Sequence, residues 1–282
     1  WHIWVTDYNP ATEQRVISDG TTTVRMFARD MGRIIGDDVT NFPDCKVKVR
    51  FTQTDVPEGK EPLSRTVELE QTGAILTTGD SFTLYQWGRK DPIIGHENRW
   101  YNASHEVFEN ILTEDCNTLP TGTALLDDFI KSPQIMWTAD HTHTFTYTNM
   151  WNSGRSSTSS IKTVYDPSPV GYKVPVGTVL NHIANDASAT VTHLATAEGN
   201  RKAGFYITQT DGNVIYFPDL GYRAGRDGSE QSYGISGEWW ICSGNRTEAR
   251  AIVLSVDTGG TVTKRTTTEP RTHALGVIPE QE

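Results

Sequence analysis

The side chains capable of chemistry come in short runs, and each run stops short of a working motif. His105-Glu106-Val107-Phe108-Glu109 has the first imidazole and the glutamate of a zinc-protease helix, but Glu109 stands where the second imidazole would grip the ion. An amphipathic helix with a polar face accounts for that run better. His141-Thr142-His143 on a strand would project two imidazoles from one face, with Asp140 adjacent and no third ligand evident. A solvated face of a threonine-rich strand is the simpler reading. Asp227, Glu230 and Asn245 are candidate oxygen donors for calcium, though no calcium loop links them. Gly234-Ile235-Ser236-Gly237-Glu238 lacks the last glycine of a nucleophile elbow. Asp127 and Asp128 are the sort of carboxylate pair a glycosidase uses, without a motif around them. No phosphate loop or dinucleotide fingerprint occurs. Catalysis is unsupported, and neither a cofactor nor a metal is expected.

Binding has more behind it. The chain holds 8 Trp and 10 Tyr, several in segments rich in Gly, Ser and Asn. Aromatic faces stack on sugars or peptide side chains, while Arg and Asn supply directional hydrogen bonds. The segment Gly221 to Tyr233 has that composition, with Tyr222, Arg223, Arg226 and Tyr233 as candidate contacts. Trp151 and Asn152 form a second candidate, Trp151 being evenly balanced between packing and recognition. Trp239 and Trp240 are consecutive, so on a strand one faces inward and one outward. Trp240 is taken as core and Trp239 as the contact. The expectation is that Trp239→Ala or Arg223→Ala weakens ligand binding and leaves thermal unfolding nearly unchanged.

The elements that must hold these residues are mostly strands. Lys46-Val47-Lys48-Val49-Arg50-Phe51 alternates cations with apolar side chains, and Thr66-Val67-Glu68-Leu69-Glu70 does so with anions. Paired antiparallel, they set cations opposite anions, at roughly 0.2–1 kcal/mol per pair. Phe205 to Thr208 and Val214 to Phe217 flank a turn at Asp211-Gly212. Ala249 to Val256 turns near Gly259-Gly260 and returns through Thr261-Val262-Thr263, and Ala274 to Ile278 reads as a closing strand. Helical spacing occurs in three places. One is the run after Thr121 or Thr123 that carries Leu125, Leu126, Phe129 and Ile130 and ends before Pro133; the others are Ala103 to Leu112 and Val179 to Ala187.

Composition narrows the partners. Of 282 residues, 36% are hydrophobic and 21% charged, which fits an ordered domain, and no apolar run approaches the roughly 20 residues of a membrane-spanning helix. The balance of 25 basic against 35 acidic residues, net −10 with no basic stripe, argues against nucleic acid and acidic lipid. Cys45, Cys116 and Cys242 are scattered, compatible with one disulfide and a free thiol or with three buried thiols. The opening on Trp1 suggests a processed piece.

Four blocks occur in order: Trp1 to Tyr8, Tyr85 to Pro92, Lys162 to Pro175, and Phe217 to Arg223. Together they resemble the Fibrobacter succinogenes major paralogous domain family, found in surface and secreted proteins of Bacteroidetes, including fimbrial tip-like proteins. The resemblance implies a C-type-lectin-like fold whose terminal strands meet, here near Ile3–Val5 and Leu275–Ile278. Ser168 replaces the cysteine that usually precedes Pro-Val-Gly-Tyr, and Ile241-Cys242-Ser243 replaces Trp-Ser-Ser. The expectation is a single α+β domain over 1–282, C-type-lectin-like and β-rich with two or three short helices. It carries an inserted β-hairpin arm at about 45–84. Its expected role is a non-catalytic cell-surface recognition or adhesion module on the outer membrane or fimbrium of a Gram-negative bacterium. It would bind a glycan or a host or bacterial surface protein, and as an alternative would assemble with pilus subunits.

Overall fold

The computed structural model describes residues 9–18, 23–32, 40–42, 45–71, 74–76, 83–95, 100–102, 116–118, 129–130, 135–139, 143–145, 150–152, 160–177, 183, 189–199, 201–209 and 211–282. In chain order the strands are β1 (Gln14–Ser18), β2 (Thr23–Phe27), β3 (Thr40–Phe42), β4 (Cys45–Thr52), β5 (Ser64–Gln71), β6 (Ala74–Leu76) and β7 (Thr83–Gln86). Next come β8 (Ile93–Ile94), β9 (Trp100–Asn102), β10 (Cys116–Thr118), β11 (Met136–Thr138), β12 (Tyr172–Lys173), β13 (Thr190–Leu194), β14 (Gly204–Thr208) and β15 (Val214–Phe217). The last are β16 (Tyr222–Arg223), β17 (Glu230–Gln231), β18 (Ser236–Gly244), β19 (Glu248–Val256), β20 (Val262–Pro270), β21 (Ala274–Leu275) and β22 (Glu280–Gln281).

The expected α+β, C-type-lectin-like fold is not what the chain adopts. Among the described residues the protein is nearly all β, with 48% in strands and 2% helical, spread over several small sheets with no closed barrel. Phe129, buried, and Ile130, 64% exposed, are what is described of the run expected to form the main helix. Of Val179 to Ala187 only Ile183 is described, buried in the main core. Ala103 to Leu112, Ile3–Val5, His105 to Glu109, Asp127, Asp128, Asp140 and His141 lie outside the described residues. The helices were expected from apolar spacing as well as from the resemblance, and Phe129, Ile130 and Ile183 are in helical conformation; elsewhere Thr, aromatic and β-branched content favours strands, and burial on a pleated surface is what such residues satisfy.

The chain divides into two compact units. One draws its described residues from Ile35–Asp80 and Asn98–Ile111, the other from Trp1–Ile34, Ser81–Glu97 and Leu112–Glu282. The smaller unit holds the sheet β3-β6-β9 and the ribbon β4-β5. In that ribbon Lys46 pairs with Glu70, Lys48 with Glu68 and Val49 with Val67, the register that alternation of charge implies.

The larger unit is organised around the sheet β18-β19-β20. The stretch Ala249-Arg250-Ala251-Ile252-Val253-Leu254 is apolar at nearly every position, the signature of a strand covered on both faces. Ala251, Ile252, Val253 and Leu254 are all buried, and so are Trp239 and Trp240 on the neighbouring β18. β19 turns into β20 through Asp257, whose carboxylate accepts the N–H groups of Gly259 (2.9 Å) and Thr261 (2.8 Å), with Gly260 at φ +82°. Beside β18 runs the chain near β21: Trp240 N–H donates to Gly276 O at 3.0 Å and Gly276 N–H to Glu238 O at 2.9 Å. The C-terminal stretch then lies along residues 26–31, with Met31 N–H on Val277 O (2.8 Å), Phe27 N–H on Pro279 O (2.9 Å) and Glu280 paired with Met26.

Small sheets leave many irregular segments, whose backbone groups must be satisfied by side chains. Three of the four sequence blocks do this work; Trp1 to Tyr8 lies outside the described residues. Gln86, 3% exposed, donates to Trp137 O (2.7 Å) and Thr272 O (2.6 Å) and accepts from Trp137 N–H (3.0 Å). Asp166 accepts the N–H groups of Ser168 (2.8 Å) and Val174 (2.9 Å), while burial still raises its pKa above the usual carboxylate value. The Lys162 ammonium sits inside the same loop and donates to the carbonyls of Ser168 (2.8 Å), Pro169 (2.6 Å) and Tyr172. Removing the ammonium strands three carbonyls that face one another. Lys162→Met should therefore cost about 2–3 kcal/mol of stability in urea unfolding, and an unchanged midpoint would show the cage to be dispensable.

Candidate functional site

The segment from Gly221 to Gly237 combines a rigid frame with exposed side chains. β16 and β17 form a very short hairpin in the register Tyr222 with Gln231 and Arg223 with Glu230. Arg223 is buried, and its guanidinium donates across the hairpin to Gly228 O at 3.0 Å. Ala224 N–H reaches Ser229 O and Gly228 N–H reaches Ala224 O, both at 2.8 Å. At the tip, Asp227 accepts the Ser229 hydroxyl (2.6 Å) and N–H (3.0 Å), and these bonds hold its carboxyl below the usual range. A Cβ on Gly225 would come within 2.1 Å of the Thr272 hydroxyl, so only glycine lets the hairpin lie this close.

The second half of the segment is a tight turn. Ser232 has φ 56°, Ser236 N–H donates to Ser232 O (2.9 Å) and Gly234 N–H to Asp219 O (2.9 Å). The result displays Tyr233, 44% exposed, and Ile235, 52% exposed, alongside the exposed Arg226 and Asp227. Such a segment offers an aromatic face, an aliphatic contact, a guanidinium and a carboxylate, all on backbone already ordered.

Next to it lies a group of ionisable side chains. Glu238 on β18 and Arg265 on β20 both pair with Val253 of β19, so they occupy one row on one face of the sheet. Tyr222 stacks on His273 at 5.1 Å and 29°, and His273 Nδ1 lies 3.5 Å from Glu269 Oε2. Glu238 is 6% exposed and accepts the Ser236 hydroxyl at 3.2 Å. Burial, and then the Glu269 charge, push its pKa up to about 7. Burial and the charges of Glu238 and Glu269 likewise raise the Tyr222 phenol. A carboxyl poised near neutrality gives this corner a proton that it can hold or release in the ordinary pH range.

The sequence candidates separate into two groups. Arg226, Tyr233 and the half-buried Tyr222 belong to the presented segment, and Arg223 is its internal anchor. Trp239, Trp151 and Asn152 are core residues and present no contact surface. Trp239 is 1% exposed, donates its indole N–H to Asp30 and meets Phe217 edge-on at 5.2 Å. It was expected to face outward because one side of the strand was assumed wet, whereas β18 is covered on both. Trp151, 0% exposed, donates its indole N–H to Arg89 O at 3.1 Å, and Asn152 accepts Ile161 N–H at 3.0 Å and donates to the Cys242 sulfur at 3.5 Å. The Cys242 thiol is buried, and burial pushes its pKa up to about 12. Asn245 accepts the N–H groups of Thr247 and Glu248, both at 2.8 Å, and so closes its own turn, as Asp227 does. His143 packs edge-on against Phe145 at 5.0 Å.

Glu238, Glu269 and His273 were not singled out as a group from the sequence. The available signal was Glu238 itself, a carboxylate sharing a strand face with Trp240. Among known proteins, no family model, no curated protein and no solved structure matches the chain.

The sign of the Glu238 effect follows from its raised pKa. Below about pH 4.5 the carboxyl is protonated both folded and unfolded, and its contribution is fully present; between 4.5 and about 7 the unfolded chain ionises first, so stability is lost. Glu238→Gln should therefore gain on the wild type by up to about 1.4 kcal/mol per pH unit across that window. Urea unfolding at a series of pH values reads the difference, and a flat profile would mean that Glu238 is ionised in the fold at its ordinary pKa.

Proposed function

We propose that this protein is a non-catalytic recognition module acting outside the cell, at the surface of a Gram-negative bacterium. Its binding surface is the segment Gly221 to Gly237, and its ligand a glycan or a surface protein. One observation carries the reading: a backbone pinned by buried Arg223 holds Tyr233, Ile235 and Arg226 in solvent. Ordering these side chains before contact removes much of the entropic cost of binding, and aromatic and Arg side chains are the usual anchors of recognition surfaces. The surface location rests on the four sequence blocks and their resemblance to a family of secreted and fimbrial tip-like proteins.

A second reading, assembly with other surface subunits, has its own observation. Ile161 (65% exposed), Val164 (74%) and Val170 (98%) project from the loop that Lys162 and Asp166 hold in shape. Three aliphatic side chains on an ordered loop suit a dry protein contact better than a sugar.

Arrays of glycans and of matrix and surface proteins distinguish the two. Tyr233→Ala and Arg226→Ala should each weaken capture of a positive ligand by about tenfold or more, with thermal unfolding unchanged. Full binding by both variants would remove the segment from consideration. Loss of subunit capture on Val164→Ser and Val170→Ser, with glycan arrays silent, would favour the assembly reading.

A further inference from the structure

The β4-β5 ribbon stands apart from the recognition segment in construction. Its strands are eight residues long, and among the described residues each pairs only with the other. Among the described residues, therefore, no neighbouring strand lies along either outer rim, which makes each a template for strand addition. Lys46, Lys48, Arg50, Thr66 and Val67 are exposed, and Val47 and Val49 are half-buried. A ribbon of two strands is marginal in water, and further strands are the general remedy.

Charge selects which strand can be added. β4 carries Lys46, Lys48 and Arg50 at the register positions of Glu70, Glu68 and Thr66 on β5, and Lys48 Nζ lies 3.5 Å from Glu68 Oε2. On the face these residues share, one rim is thus cationic and the other anionic, while Arg65 of β5 lies on the opposite face, paired with Phe51. Two ribbons joined β4 to β4 would set cations against cations, and β5 to β5 would set Glu against Glu, both destabilising. Lysines on an edge commonly guard it against pairing, but here the guard acts only against a like rim. Joining β4 to β5 places cations opposite anions, repeats the antiparallel order found inside the ribbon and keeps Val47, Val49 and Val67 in one apolar row.

We infer that the β4-β5 ribbon is a head-to-tail self-association element, in which the β4 rim of one copy receives the β5 rim of a second copy. The two surfaces are different, so the contact is heterologous and adds copies without closing at two. The net charge of −10 repels copies at a distance. At ~0.15 M salt that field is screened beyond about 8 Å, leaving the rim pairs to decide at contact.

Sedimentation velocity and light scattering on the full chain test this, in reducing buffer so that no cysteine crosslinks. The wild type should show a mass that climbs with concentration past that of a dimer. Reversing one rim (Lys46→Glu, Lys48→Glu and Arg50→Glu) should weaken association by about tenfold or more. Because that variant also sets like charges inside its own ribbon, a second one adds Glu68→Lys and Glu70→Lys, which restores the internal pairs with polarity exchanged. It should associate with itself as the wild type does. A wild type that stays monomeric at every concentration, an assembly that stops at two copies, or an exchanged chain that fails to associate with itself would each overturn the inference.

Discussion

The larger unit depends on one strand being dry on both sides. β18 sends the Trp239 indole to one face and the Trp240 indole to the other, and each indole N–H finds an acceptor, at Asp30 and at Tyr85 O (2.6 Å) respectively. Trp87 adds a third indole, donating to Ile241 O at 3.0 Å on the same strand. Room for the Trp239 ring comes from Gly237 and Gly276, where an added Cβ would lie 2.2 and 2.6 Å from ring atoms. Burying two indoles contributes several kcal/mol, but only because neither leaves a polar N–H unpaired. Position along β18 then follows: Glu238, two residues before Trp240, has to lie on the Trp240 face, and Gly221 is tied to Ser236 O at 2.7 Å just upstream. The segment Gly221 to Gly237 inherits its placement from that anchoring.

A second constraint comes from the number of small sheets. Every chain reversal or crossing between them exposes backbone groups that no ladder satisfies, and buried polar side chains take their place. Gln86 ties together residues 137 and 272, Lys162 gathers a loop around one ammonium, and Arg15 donates to Ala28 O at 2.8 Å while lying over the Phe217 ring at 4.8 Å. Arg271 is held between Trp87 (4.5 Å) and Phe145 (4.3 Å), and burial lowers its pKa to about 9. Polar residues inside such a protein are part of the frame, which is why polarity in the sequence blocks did not signal exposure. The same logic explains why Arg223 serves the site from within: its charge is spent on Gly228 O, and the outward contacts pass to Arg226 and Tyr233.

Alternation and turn chemistry are local properties, and where they governed the outcome the chain could be read directly. The β14-β15 hairpin forms around Gly212 (φ +82°) with Phe205 opposite Phe217, β19 and β20 meet through the turn at Gly260, and β4 and β5 take the register that their charges imply. Part of the candidate site was legible on the same grounds, since a Gly-, Ser- and Arg-rich segment with Tyr222 and Tyr233 reads as a loop able to make contacts. The fold class was not legible, because it was taken from a resemblance of short blocks, of which the described ones act here as local ties between segments. Nor was the inward turn of Trp239, since alternation says that two faces differ but not whether both are covered.

Sequence by itself thus determined the strands, their turns and the charge pattern along them, because each depends on neighbours a few residues apart. Tertiary structure alone decided that β18 is enclosed on both faces, that Trp151 and Asn152 pack inside, and that Glu238 shares a corner with Glu269, Tyr222 and His273. Those outcomes depend on which distant segments cover a given face, and burial and the electrostatic field it sets exist only once those segments have met.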